Sequence, residues 1–196
     1  MHYHCELYVP PTRGAKSAFR NKDRKYFVKR AEELMAPYFE GDERTPNIYG
    51  EAPPRLWDWF VLGGRWTGEH DGYDPSKDPR NLSPCKYCNA TGIRTDEVGK
   101  ANGMDKTKTC NGCNGTGKSL NDSLVEHDGD IIEVSKVPPK FKCYTLIAND
   151  KVFEKSEYIT KKPYFKNTKF AQQTVKQKLA ELGIKDGYLC TVDYHS

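Results

Sequence analysis

The chain has 196 residues, of which 36% are hydrophobic, 30% charged and 12% aromatic, a length that suits one domain carrying an insertion, or two small ones, with about 70% of its surface buried. No run of about 18 apolar residues occurs, which excludes a membrane-spanning helix. Lys and Arg number 31 against 27 Asp and Glu, a net charge of +4 that excludes strong global steering and leaves only local patches to act electrostatically.

Twelve Tyr, eight Phe and three Trp supply a core where aliphatic residues are few. The opening Met1-His2-Tyr3-His4-Cys5-Glu6 lacks the basic-then-apolar pattern of a signal peptide. The expected setting is the cytoplasm, where thiols stay reduced and clustered cysteines point to metal or redox chemistry.

In chain order, residues 1–10 alternate, with Tyr3, Cys5, Leu7 and Val9 on one face and His2, His4, Glu6 and Tyr8 on the other. This predicts a half-buried strand ended by Pro10-Pro11. Over residues 21–39, Phe27, Ala31, Leu34 and Tyr38 form one stripe of an amphipathic helix. Residues 41–56 read as a loop and 56–66 as a strand interrupted at Gly63-Gly64. Residues 67–140, rich in Gly, Asn, Asp, Lys and Thr, read as an insertion. Residues 141–154 predict a hairpin turning at Asn149-Asp150. A second helix is expected over 168–182 on Ala171, Val175, Leu179 and Leu182, stopped by Gly183 with Ile184 as its hydrophobic cap. Residues 187–195 alternate again.

Without the insertion, the order is strand, helix, strand, strand, helix, strand. That resembles the ferredoxin-like α+β plan, an antiparallel sheet with both helices on one face. Residues 1–66 and 141–196 would form this discontinuous core domain. Cys5, Cys143 and Cys190 read as small buried hydrophobes within it.

The strongest motif lies in the insertion. Cys85-Lys86-Tyr87-Cys88-Asn89-Ala90-Thr91-Gly92 and Cys110-Asn111-Gly112-Cys113-Asn114-Gly115-Thr116-Gly117 are two copies of one pattern. Two residues between cysteines let a tight turn aim both sulfurs at one ion, and four thiolates satisfy tetrahedral zinc. The trailing glycines let backbone N–H groups point at the sulfurs. Cys85, Cys88, Cys110 and Cys113 are therefore the expected ligands of one structural zinc, with a redox CxxC as the alternative. Residues 85–117 resemble the cysteine-rich zinc domain of DnaJ-type (Hsp40) co-chaperones. That family carries four repeats and two zinc centres, whereas two repeats here imply one. Ala90 replaces a usual glycine, and no His-Pro-Asp tripeptide of a J-domain occurs. The resemblance implies a zinc fold and a surface for another macromolecule.

A second motif, Trp57-Asp58-Trp59-Phe60-Val61-Leu62-Gly63-Gly64-Arg65-Trp66, holds all three tryptophans. Arg65 offers a bidentate grip on phosphate or carboxylate, and Trp57, Trp59 and Trp66 offer stacking surfaces. Against this stands the plainer reading that the aromatics fill the core and Arg65 pairs with Asp58. The segment resembles small bacteriophage-encoded proteins of unknown activity, which implies a viral origin and a host cytoplasm rather than any reaction.

Basic side chains cluster twice. Arg20, Lys22, Arg24, Lys25 and Lys29 belong to the first cluster and Lys161, Lys162, Lys166 and Lys169 to the second, with an acidic stretch, Asp122, Glu126, Asp128, Asp130 and Glu133, between them. Each reads either as a solvated face or as a surface for nucleic acid or an acidic partner. His2, His4, Glu6, Tyr8, Thr191, Asp193 and His195 are expected to share one open face of paired terminal strands, with room for metal or acid–base chemistry.

No HExxH or GxSxG pattern occurs, and nothing positive marks an enzyme. The expected function is a zinc-containing, phage-type binding protein contacting nucleic acid or a host protein or nucleoprotein complex, inhibition of a host defence system being one such role. The alternatives are a nucleotide-binding protein or enzyme built on Asp58, Arg65 and the tryptophans, and a chaperone-like holding module.

Overall fold

A computed structural model of the chain describes residues 1–39, 56–103, 109–154 and 173–196. They fall into two units, Met1–Tyr73 with Glu126–Ser196, and Asp74–Val125. The loop expected over 41–56, except Leu56, and the first residues of the helix expected from 168 lie outside the described residues. So do Lys161, Lys162, Lys166 and Lys169. No helix among the described residues is long and apolar enough to cross a membrane.

The larger unit is built on a mixed sheet. Two eight-residue strands, β1 (His2–Val9) and β8 (Tyr188–His195), pair antiparallel along their full length, His2 opposite His195 and Val9 opposite Tyr188. Outside β8 lies β2 (Trp59–Leu62), and beyond β1 lie β6 (Thr145–Ala148) and β7 (Lys151–Glu154), in the order β2-β8-β1-β6-β7. A short strand, β5 (Ile131–Glu133), also pairs with β8, so residues 131–133, read from the sequence as insertion, belong to the sheet. The β6–β7 hairpin turns at Asn149 and Asp150, both at positive φ (51° and 57°), the conformation that suits a two-residue turn to the twist of its strands.

This is an α+β sheet, but its connectivity departs from the ferredoxin-like plan in three respects. β1 and β6 run parallel, β2 pairs with β8 rather than with β6, and the helices occupy both faces. The second departure has a direct cause. Only a tight hairpin forces consecutive strands to be neighbours, and the long excursion after Leu62 removes that constraint.

Helix α1 (Arg13–Arg20) starts at Thr12, whose Oγ1 accepts the Ala15 N–H, and α2 (Arg24–Met35) starts at Asp23. The sequence reading placed one helix over 21–39 and none over 13–20; α1 is an additional helix, and the Asp23 N-cap starts α2 at Arg24. Ala15, Ala18, Phe27, Ala31 and Met35 pack on Cys5, Leu7, Val9, Ile147, Cys190, Val192 and Tyr194. On the opposite face, α4 (Val175–Glu181) lays Val175 and Leu179 on Tyr8, Leu146 and Leu189. A Thr174–Gln177 capping box opens α4, and Gly183 at φ 73° closes it, with Ile184 buried beside it. Cys5, Cys143 and Cys190 are buried among these apolar side chains.

In the smaller unit, β3 (Leu82–Pro84) and β4 (Lys118–Leu120) form a two-stranded ribbon. β3 runs straight into Cys85, and β4 starts directly after Gly117. Asn81, fully buried, accepts the Val125 N–H at 2.7 Å and donates to the Pro75 carbonyl, so one side chain joins the two ends of the unit. A five-residue helix, α3 (Glu97–Ala101), follows the first cysteine pair and is capped by Asp96.

Candidate functional site

The two CxxC segments fold as equivalent knuckles. In the first, the N–H groups of Cys88 and Ala90 donate to the Cys85 carbonyl; in the second, those of Cys113 and Gly115 donate to the Cys110 carbonyl. Thr91 and Thr116 each donate their hydroxyl to the carbonyl of the second cysteine of their pair, at 2.6 and 2.7 Å. The knuckles then exchange backbone bonds, Cys85 N–H to Gly117 O at 2.9 Å and Cys110 N–H to Gly92 O at 2.8 Å. Gly92 and Gly117 sit at positive φ where the knuckles meet. A Cβ on Gly92 would lie 2.5 Å from the Gly115 carbonyl oxygen, and one on Gly117 would lie 2.3 Å from that of Ala90. Arg94 braces the pair, its guanidinium lying over the Tyr87 ring and donating to Asp96 and to Asn111.

This scaffold brings the four sulfurs of Cys85, Cys88, Cys110 and Cys113 within 4.8 Å of one another, all in buried residues. Two of the pairs across the knuckles are 3.9 Å (Cys85–Cys110) and 3.7 Å (Cys88–Cys113) apart. A tetrahedron with 2.3 Å metal–sulfur arms has an edge of about 3.8 Å, whereas a disulfide needs about 2.05 Å. The cluster therefore fits one tetrahedral metal ion. Burial pushes the Cys88 thiol up to about 11 despite the Gly92 N–H. At Cys113, burial is outweighed by the Gly117 N–H and the neighbouring thiols, which hold it down to about 7. The glycine amides are aimed at the sulfurs, and a bound cation would complete the ionisation they favour.

The second candidate region is the polar face of β1 and β8, which the sequence reading left open to solvent. Most of it is covered. His4, Glu6, Thr191 and Asp193 are each no more than 4% exposed, beneath two single helical turns, Gly64–Trp66 and Glu69–Asp71, and the Phe141 ring. Glu6 receives His4 Nε2 at 2.8 Å, His70 Nε2 at 3.1 Å and the Thr191 hydroxyl at 3.0 Å. His4 Nδ1 reaches outward to Glu69 at 3.0 Å. Burial opposes charge on both partners, yet attraction wins: His70 and His4 hold the Glu6 carboxyl down to about 2, and Glu6 with Glu69 raises His4 to about 9.

The Gly-Gly-Arg turn is fitted to this face. A Cβ on Gly63 would lie 2.3 Å from Asp130 Oδ2, and one on Gly64 would lie 2.4 Å from the Asp193 Cβ. The ligand these glycines admit is the protein's own pair of carboxylates. Asp130, fully buried, accepts the Thr67 hydroxyl and Gly68 N–H, each at 2.8 Å, and Arg24 Nη2 at 2.8 Å. Asp193 accepts the Arg65 N–H at 3.1 Å and bonds His2 Nδ1 at 2.9 Å.

The residues expected to form a ligand pocket do not converge. Trp57 donates to the Met35 carbonyl and packs between Phe39 and Phe60 on the α2 side. Trp66 stacks on His4, 5.1 Å between centroids, on the polar face. Trp59 is half exposed. Arg65 is exposed, and Asp58, its expected partner, is bonded instead to His195 at 2.9 Å.

The first basic cluster divides in the same way. Arg24 belongs to the fold: its guanidinium is shared among Asp130, the Leu62 carbonyl and Glu126. Lys22 pairs with Asp128. Asp128 and Asp130, read in sequence as part of a solvated acidic stretch, are thus the counter-charges of this cluster. Arg20, Lys25 and Lys29 remain exposed, with Arg13, and make no ion pair among the described residues. Sequence reasoning also passed over His70 and Glu69, whose only signal is a short polar run between Gly68 and Gly72.

No family model, curated protein or solved structure matches the chain. The likeness of 85–117 to the DnaJ-type zinc domain, and of 57–66 to bacteriophage proteins, rests on those motifs alone.

Proposed function

We propose that the chain is a zinc-containing binding protein whose partner is a nucleic acid, free or within a nucleoprotein complex. The observation that carries the metal half is the tetrahedral-edge spacing of four buried sulfurs. A closed set of four thiolates leaves no position for substrate, so the ion is structural: it holds a 52-residue unit, Asp74–Val125, whose own cluster of buried hydrophobic residues consists of the four cysteines. The nucleic-acid half is supported by Arg13, Arg20, Lys25 and Lys29, exposed on α1 and α2 without acidic partners among the described residues. The bacteriophage resemblance extends the partner to a host nucleoprotein complex, and inhibition of a host defence is the role that extension supports.

Metal analysis is expected to return one zinc per chain, lost in Cys85→Ser with Cys110→Ser while the helix signal of the larger unit persists. Fluorescence anisotropy with labelled oligonucleotides should show affinity falling steeply with salt, and Lys25→Ala with Lys29→Ala should reduce that log–log slope by about 2. Absence of binding at low salt, or an unchanged slope in the double variant, would reject the nucleic-acid half.

A further inference from the structure

The polar face changes character at its rim. Glu6, Asp130 and Thr191 are buried and bonded to other groups of the fold. At the opposite end, His2 and His195 face each other across the β1–β8 pair with ring centroids 5.3 Å apart. Each has its Nδ1 on a carboxylate at 2.9 Å, His2 on Asp193 and His195 on Asp58. Neither Nε2 makes a hydrogen bond among the described residues, and the side chains are 28% and 41% exposed. Trp59 stands opposite His195 on β2, 48% exposed, its ring edge-on to His2 at 5.9 Å. The second oxygen of Asp193 fixes the backbone of Arg65, whose side chain is exposed.

A carboxylate on Nδ1 sets the tautomer and orientation of an imidazole and stabilises its cation, so that Nε2 is the working atom. One such pair is a common structural feature. Two in contact, neither Nε2 hydrogen-bonded among the described residues and with an exposed indole beside them, form an arrangement suited to moving two protons on one substrate. We propose that this rim is a metal-independent cleavage site for single-stranded RNA, with His2 and His195 as the general base and general acid and Trp59 as a stacking platform.

The inference takes its substrate class from the nucleic-acid reading above. RNA carries its own nucleophile, so no activated water or cation is needed. The neutral histidine takes the 2′-hydroxyl proton at Nε2. The 2′-oxygen forms a bond to phosphorus, the bond from phosphorus to the 5′-oxygen breaks, and that oxygen takes the Nε2 proton of the other, protonated histidine. The products are a 2′,3′-cyclic phosphate and a 5′-hydroxyl, with one proton transferred between the rings and no other reactant consumed. The exposed setting, with an indole half in solvent, suits an extended strand.

The test uses the zinc-loaded full chain in magnesium-free buffer. A labelled single-stranded RNA should be cut to ends that mass spectrometry identifies as cyclic phosphates, and the 2′-deoxy strand should stay intact. His2→Ala and His195→Ala should each slow cleavage by about 10²-fold or more, and added imidazole should restore part of the rate, which a merely structural role would not allow. If His2→Ala fails to fold, His195→Ala carries the test, because its Asp58 pair is exposed. A wild-type rate no higher than that of the double histidine variant, or equal cutting of DNA, overturns the proposal. Binding of a 2′-O-methyl RNA without any cutting of RNA defeats this inference and leaves the binding reading standing; neither binding nor cutting defeats both.

Discussion

Replacing Glu6 by Gln keeps the shape of a fully buried side chain and removes the charge that His4 and His70 share. The raised His4 value, 6.5 to about 9, corresponds to roughly 3 kcal/mol of folded-state preference for the imidazolium. The depressed Glu6 value, 4.5 to about 2, describes the same attraction from the carboxylate side, so the two are not added. A raised histidine stabilises fully below its unfolded value, and the benefit fades as pH rises from 6.5 towards 9. A depressed carboxylate stabilises above its unfolded value, and the benefit fades as pH falls from 4.5 towards 2. The wild-type protein should therefore be most stable, as far as this cluster decides it, between about pH 4.5 and 6.5.

Urea unfolding followed by tryptophan emission measures this, since Trp66 stacks on His4 and reports its surroundings. Zinc is kept saturating throughout. Near pH 6, Glu6→Gln should cost about 3 kcal/mol, most of it the penalty of leaving the buried His4 imidazolium without its Glu6 counter-charge. By pH 9.5 the gap between the proteins should shrink to about 1 kcal/mol or less, because the wild type has by then lost the same interaction. Glu69 still holds His4 in the variant, so a weaker alkaline decline persists there. Parallel stability curves for the two proteins between pH 6.5 and 9.5 would refute the reasoning.

Two further substitutions probe the glycine positions. Gly63→Ala places a methyl 2.3 Å from Asp130 Oδ2 at φ 80° and should destabilise the larger unit by about 3 kcal/mol or more, from left-handed strain plus a displaced buried carboxylate, read by urea unfolding. The knuckles supply a matched pair: Ala90 sits at φ 64° where the second repeat has Gly115 at φ 80°. Ala90→Gly should stabilise the zinc unit by about 0.5–1 kcal/mol, strain relief exceeding the added chain entropy. Gly115→Ala, whose methyl would meet Thr109 Cγ2 at 2.5 Å, should weaken metal retention against a chelator. If both alanine-to-glycine and glycine-to-alanine changes move retention in the same direction, the strain argument fails.

What the sequence disclosed depended on how local the determining physics is. The Asn149-Asp150 hairpin, the Gly183 helix stop and the CxxC knuckles are each decided within about ten residues, where turn chemistry and ligand spacing act directly. The pairing of β1 with β8 spans the whole chain, yet alternation at both ends put His2, His4, Glu6, Thr191, Asp193 and His195 on one face, where the structure has them, while the register that sets His2 opposite His195 was not legible. The side on which α4 packs and the neighbour of β2 depend on which connections are long, and periodicity carries no information on that. Asp130 and His70 were illegible for another reason. Each sits in a polar, glycine-bearing stretch indistinguishable from a solvated loop, and its burial is created by partners about 60 residues away, Thr67 and Glu6.

The same long-range pairing separates fold from chemistry along one sheet face. A carboxylate that must be buried needs donors on every side, and Asp130 finds them in Arg24, Thr67 and the Gly68 amide. Arg24 is thereby withdrawn from any partner surface, and Gly63 is fixed as the only residue type that leaves room. Asp193 is divided: one oxygen holds the Arg65 backbone and the other orients His2, whose remaining nitrogen makes no hydrogen bond among the described residues. The Gly-Gly-Arg turn therefore seals the inner part of the face while locking the geometry of its rim. Loosening that turn should disturb His2 before it disturbs the sheet, because β1 and β8 are paired along their whole length without it, whereas the hydrogen bond that orients the His2 ring runs to Asp193.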